Sequence, residues 1–76
     1  MEKVEITTDF IRLDQAMKLS GRVESGAEAK ILVQNQRVRV NGKICTMRGK
    51  KLHPGDRVEF EEVSFAILQK EKTERE

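Results

Sequence analysis

Apolar residues recur along the chain with two different periods. Val4-Glu-Ile-Thr alternates apolar with polar, the period of a short strand. From Leu13 the period lengthens. Leu13, Ala16, Met17 and Ser20 fall at i, i+3, i+4 and i+7, which predicts a helix with one small-to-apolar stripe, capped by Thr8 or Asp9. Gly21 ends it, because glycine enters the left-handed C′ conformation without a Cβ penalty. Asp14, Lys18 and Arg22 lie four apart on another face, so two cations line the end of this helix. Ser25-x-x-Glu28 reads as a capping box, with the hydroxyl accepting from the N3 amide and the carboxylate reaching back to the cap amide. Ala29, Leu32 and Val33 form the buried stripe of this second helix, Lys30 and Gln34 another side, and Asn35 its stop, since asparagine tolerates positive φ.

The period then returns to two. Val38 and Val40 alternate with Arg37 and Arg39, so a strand turns both arginines away from the valines. Asn41-Gly42 is a hairpin signal. A strict two-residue turn sets Ile44 opposite Arg39 and Lys43 opposite Val40, a poor match of faces. Two solutions stay open: a bulge that shifts the register, or a sheet partly exposed on both sides. Met47-Arg-Gly-Lys-Lys-Leu52 reads as a basic loop, and His53-Pro-Gly-Asp56 as a type II turn. Val58 and Phe60 mark the next strand, Ser64 to Gln69 the last, and residues 70–76 a charged, frayed tail. The expected fold is α+β: two short helices packed on a small, twisted, mostly antiparallel sheet of about four to five strands, in a single domain over residues 1–76.

Composition narrows what such a domain does. A chain of 76 residues is marginally stable alone, at roughly 5 kcal/mol or less, and has little room for a deep cavity beside a core. One cysteine, Cys45, permits no internal disulfide, and the charged start Met1-Glu-Lys-Val-Glu does not read as a signal peptide. No apolar run approaches the length of a membrane span. A cytoplasmic location away from membranes and a monomeric state are the expectation.

Net charge is +2, but it is segregated. Residues 12–57 hold eleven Lys/Arg against four acids, whereas residues 58–76 hold three against six. Separation by sign points to a polyanionic partner more than the total does. The inventory for catalysis is thin: one His, which precedes a Pro-Gly turn and reads as an exposed loop residue, and one Cys, which reads as a small hydrophobe. These two supply no zinc site, and no P-loop or nucleophile elbow is present. The expectation is therefore no enzyme, no metal and no cofactor.

What remains is basic. Lys18, Arg22, Lys30, Arg37, Arg39, Lys43, Arg48, Lys50 and Lys51 are the candidate RNA-binding cations, expected on one side of the domain, where counterion release would supply most of the affinity. Ser25, opening the second helix, adds backbone amides for a phosphate oxygen. Three Phe and no Trp or Tyr disfavour the stacking of splayed single-stranded bases, and structured RNA fits better.

In their order and spacing, Arg12-Leu-Asp-Gln-Ala-Met-Lys-Leu-Ser-Gly21, Ser25-Gly-Ala-Glu-Ala-Lys30, Val38-Arg-Val-Asn-Gly42, Arg48-Gly-Lys-Lys-Leu52 and Pro54-Gly-Asp-Arg-Val58 resemble the S4 RNA-binding domain, in particular the small stand-alone S4-like proteins of bacteria. The resemblance spans about residues 10–60. It implies an αL motif that grips folded RNA such as ribosomal or transfer RNA, in ribosome assembly or quality control. It also implies that Lys30, Arg37, Arg39 and the Arg48/Lys50/Lys51 loop face that RNA. Many S4 domains have glycine where this chain has Gln36, so Asn35 is expected to take over the left-handed position. Many also carry a catalytic domain, and this chain is expected to bind without modifying. Two alternatives are a module whose basic face meets an acidic protein, and a β-grasp sulfur carrier, whose C-terminal Gly-Gly this chain lacks.

Overall fold

Alternating burial along strands such as 38–40 and 57–60, valine and phenylalanine inward and charge outward, builds a sheet with one largely apolar side. The computed structural model describes residues 2–70. Its elements run β1 (Glu2–Ile6), β2 (Ile11–Arg12), α1 (Leu13–Leu19), α2 (Gly26–Gln34), β3 (Val38–Val40), β4 (Lys43–Ile44), β5 (Lys51–Leu52), β6 (Arg57–Phe60) and β7 (Val63–Gln69). Five strands form a sheet in the order β1-β7-β6-β3-β4, and β2 and β5 form a separate two-stranded ribbon. Only β1 and β7 are parallel; the other pairs are antiparallel. The α+β class and the mostly antiparallel sheet are as expected.

The core lies between the helices and the inner face of the sheet. Leu13, Ala16, Met17, Ala29 and Val33 of the helices meet Val38, Val58, Phe65 and Ile67 of the strands, all fully buried. Phe60 and Phe65 meet edge to face, with ring centroids 6.2 Å apart. Leu52 and Ile11, buried on the inner side of the ribbon, tie it to the same core.

Local chemistry departs from expectation at several junctions, each for a definable reason. Neither Thr8 nor Asp9 caps α1. The Thr8 hydroxyl instead donates to the carbonyl of Phe10, and β2 intervenes because Ile11 pairs with Leu52 in the core. The first amides of α1 bond to loop carbonyls, Leu13 N–H to Lys50 O (2.9 Å) and Asp14 N–H to Arg48 O (3.0 Å), while the Asp14 carboxylate accepts from Gln15 N–H (2.8 Å). The segment Met47–Leu52 is thus no plain loop: its end is β5, and its carbonyls cap a helix. At α2 the Ser25 hydroxyl accepts from Glu28 N–H (3.2 Å), but the Glu28 carboxylate accepts from Glu24 N–H (2.9 Å), one residue ahead of the expected cap amide.

The exit from α2 also differs. Asn35 keeps φ at −88°, and Gln36 takes the left-handed position at φ 61°. Gln36 N–H bonds to Val33 O and Arg37 N–H to Leu32 O, the two crossed bonds of a Schellman ending. That motif needs positive φ at the residue after the cap, so the glutamine adopts it at a cost of about 1–2 kcal/mol relative to glycine. The Asn41-Gly42 hairpin is a strict two-residue turn with positive φ at both residues, and Ile44 is left exposed opposite Arg39. The open register question closes in favour of a sheet exposed on both sides at this edge. Asn41 also ties the turn to the next strand, its amide donating to Asp56 (3.0 Å) and its carbonyl oxygen accepting from Arg57 N–H (2.9 Å). Lys70 belongs to the fold and not to a frayed tail, since its N–H bonds to Ile6 O (2.8 Å). The rest of the expected tail, 71–76, lies outside the described residues.

Candidate nucleic-acid interface

Two buried side chains fix the orientation of the ribbon. With Ile11 and its partner Leu52 turned into the core, strand alternation turns Arg12 and its partner Lys51 outward together. Two cations therefore sit directly opposite one another, an arrangement that disfavours folding. The Arg12 guanidinium bonds to the Asp14 carboxylate (3.1 Å) and lies over Gly49, where an added Cβ would stand 3.9 Å from its nitrogens. Further along the ribbon the Phe10 and His53 rings come to 6.2 Å, and Lys51 Nζ stands 4.9 Å from the Phe10 centroid.

The loop before β5 adds to this corner. Its carbonyls cap α1, so Arg48 and Lys50 are carried to the helix N-terminus beside Arg12, with side chains exposed. Among the described residues Arg48, Lys50 and Lys51 form no ion pair. Lys50 and Lys43 line one shallow groove with Ile44 and Met47, which brings the hairpin cation next to the loop. Arg12, Lys43, Arg48, Lys50 and Lys51 thus share one end of the molecule.

The remaining sequence-predicted cations lie elsewhere, and the expected single face of all nine does not form. Arg39 sits on the outer face of the five-stranded sheet, directly across from Glu59. Arg37 bonds to the Glu61 carboxylate (3.2 Å) on the same face. Strand alternation is the cause: Val38 and Val40 occupy the side facing the helices, which leaves the arginines the opposite side. Arg22, at the far end of α1, bonds to Glu2, and each holds the other's charged form: the hydrogen bond from Arg22 lowers the Glu2 pKa, and that to Glu2 raises the Arg22 pKa. Lys18 and Lys30 are exposed on the helices, and the Ser25 hydroxyl is occupied in its cap. Burial raises the Asp56 pKa, but the His53 amide, the Asn41 side chain and the charges of His53 and Lys50 outweigh it, leaving a net lowering.

No group of three metal-binding side chains occurs among the described residues, and none of their helices is long and apolar enough to cross a membrane. Residues 4–68 match the S4 domain family. The chain belongs to that family. It is also 40% identical over 58 residues to a Bacillus subtilis (strain 168) protein named "Probable ribosome maturation protein RlbA", an alignment covering 76% of this chain and 82% of the relative. The S4 match runs from β1 to β7, wider than the resemblance at 10–60, and so takes in the parallel β1–β7 pair of the sheet.

Within this S4 domain the sequence reading passes over Arg12 as a member of the cationic corner. Alternation of buried Ile11 with its exposed neighbours is the signal that would have found it. It spans a two-residue strand, too short to register as a period.

Proposed function

We propose that this S4 domain binds structured RNA without catalysing a reaction, gripping the backbone with Arg12, Lys43, Arg48, Lys50 and Lys51, and that it serves ribosome maturation. The observation that carries the reading is the Arg12–Lys51 cross-strand pair of like charges, flanked by Arg48 and Lys50. Asp14 answers the Arg12 charge in part, and a phosphate beside Lys51 would answer the rest. The family supports RNA as the polyanion, and the ribosome maturation protein similar to this chain supports ribosomal RNA ahead of transfer RNA.

The test is Lys50→Glu/Lys51→Glu, measured by fluorescence anisotropy on folded ribosomal RNA fragments across a salt series. We expect Kd to rise about tenfold or more, and the slope of log affinity against log salt to flatten by about 2, one for each lost phosphate contact. Glu at position 51 faces Arg12, so the melting temperature should hold or rise. A folded double variant that binds as tightly as the wild type contradicts the reading. Equal binding of an acidic protein and of RNA would favour a protein-interaction module instead.

A further inference from the structure

The basic corner ends in an aromatic ring that the fold leaves partly exposed. Phe60 and Phe65 are buried in the core, whereas Phe10 is 40% exposed, at the head of the ribbon and beside its cations. Lys51 approaches the ring at 4.9 Å and His53 stands tilted at 6.2 Å. Beyond the ring, toward α1, lies an open groove of about 880 Å³ whose lining includes Phe10, Leu19, Gln15, Asp9 and Lys70. Leu19 is exposed too, at 63%.

We propose that Phe10 is a stacking platform for one unpaired nucleobase of the bound RNA, a site that rests on the RNA-binding reading above. Three features select a base over other occupants. Lys51 Nζ lies 4.9 Å from the Phe10 centroid, so a phosphate held by Lys51 belongs to a nucleotide whose base lies near the ring. The groove wall carries the Glu5 and Asp9 carboxylates, which repel a phosphate, and with the Gln15 amide these can hydrogen-bond the donor and acceptor edge of a base. Finally, one ring backed by an ammonium and an imidazole serves one base, in keeping with the shortage of aromatics, and adds a preference for a bulge or loop to a domain that otherwise grips backbone. A base buried within a continuous duplex cannot reach the ring, so the site discriminates between helices that differ by a single unpaired nucleotide.

The experiment compares a short RNA duplex with the same duplex carrying one bulged 2-aminopurine, against wild type, Phe10→Leu and Phe10→Trp. Wild type should prefer the bulged RNA by roughly 5- to 100-fold, with the bulged fluorophore quenched on binding, as stacking on an aromatic side chain predicts. Phe10→Leu keeps apolar bulk and should bind both RNAs with the wild-type duplex affinity, without quenching; Phe10→Trp should restore both preference and quenching. Equal wild-type affinity for the two RNAs, or a preference that survives Phe10→Leu, overturns the platform while leaving the cationic grip intact. Wild type that binds neither RNA overturns both.

Discussion

The outer face of the β2–β5 ribbon and the outer face of the five-stranded sheet follow one rule and end with opposite electrostatics. Each places apolar residues inward and cations outward by strand alternation. On the sheet, register sets Arg39 across from Glu59, and Arg37 bonds to Glu61 at the adjoining strand end, so the arginines are matched by carboxylates where they stand. On the ribbon, register sets Arg12 across from Lys51, and the nearest loop contributes Arg48 and Lys50. Counting cations along a strand does not distinguish these outcomes; the partner across the ladder does. The sheet face is a mixed surface whose exposed Arg37–Glu61 pair is worth about 0–1 kcal/mol, while the ribbon corner sets Arg12, Lys51, Arg48 and Lys50 against the carboxylate of Asp14.

That contrast can be broken at its foundation. Leu52 is fully buried and pins the ribbon to the core, so Leu52→Ala should cost about 2–5 kcal/mol in urea unfolding, a large part of what a domain of this size has. Where the variant is still folded, the Arg12–Lys51 register loosens and RNA affinity falls with it. A loss well under 1 kcal/mol would mean the ribbon is not anchored as described. A smaller effect is expected from Arg12→Gln, which removes one phosphate contact and the bond to Asp14: affinity for folded RNA should drop several-fold and the salt slope should flatten by about 1. The smallest belongs to the sheet. Arg39→Gln should leave RNA affinity within about twofold, because Glu59 already answers that charge and repels a phosphate backbone. If Arg39→Gln weakened binding more than Arg12→Gln, the assignment of the two faces would be reversed.

Much of this architecture was legible in the sequence because it rests on local periods and turn chemistry. The 3.6-residue stripe of Leu13, Ala16 and Met17, the Ser25 cap, the alternation of Val38 and Val40 and the Asn41-Gly42 turn depend on residues close together in the chain. What was not legible depends on distant partners. Residues 48 and 50 cap a helix that starts at 13, which no local pattern around Thr8 and Asp9 reveals. The pairing of Arg22 with Glu2 joins residues twenty apart, and that of Arg37 with Glu61 joins residues twenty-four apart. Charge segregation along the chain pointed to a basic side, but folding carried Glu59 of β6 and Glu61 of the following turn against Arg39 of β3 and Arg37 just before it. Gln36 is an intermediate case: the need for a left-handed residue after α2 is readable, while its occupant depends on which residue keeps the last helical bonds.

The contrast between the two faces is tested most directly by amide chemical-shift mapping during titration with a folded ribosomal RNA fragment at low salt. Perturbations should concentrate on residues 10–14 and 43–53, with residues 37–39 and 57–64 nearly silent on the sheet's outer face. Shifts centred on the sheet face, or spread evenly over both, would contradict the assignment of the ribbon corner as the RNA-binding end.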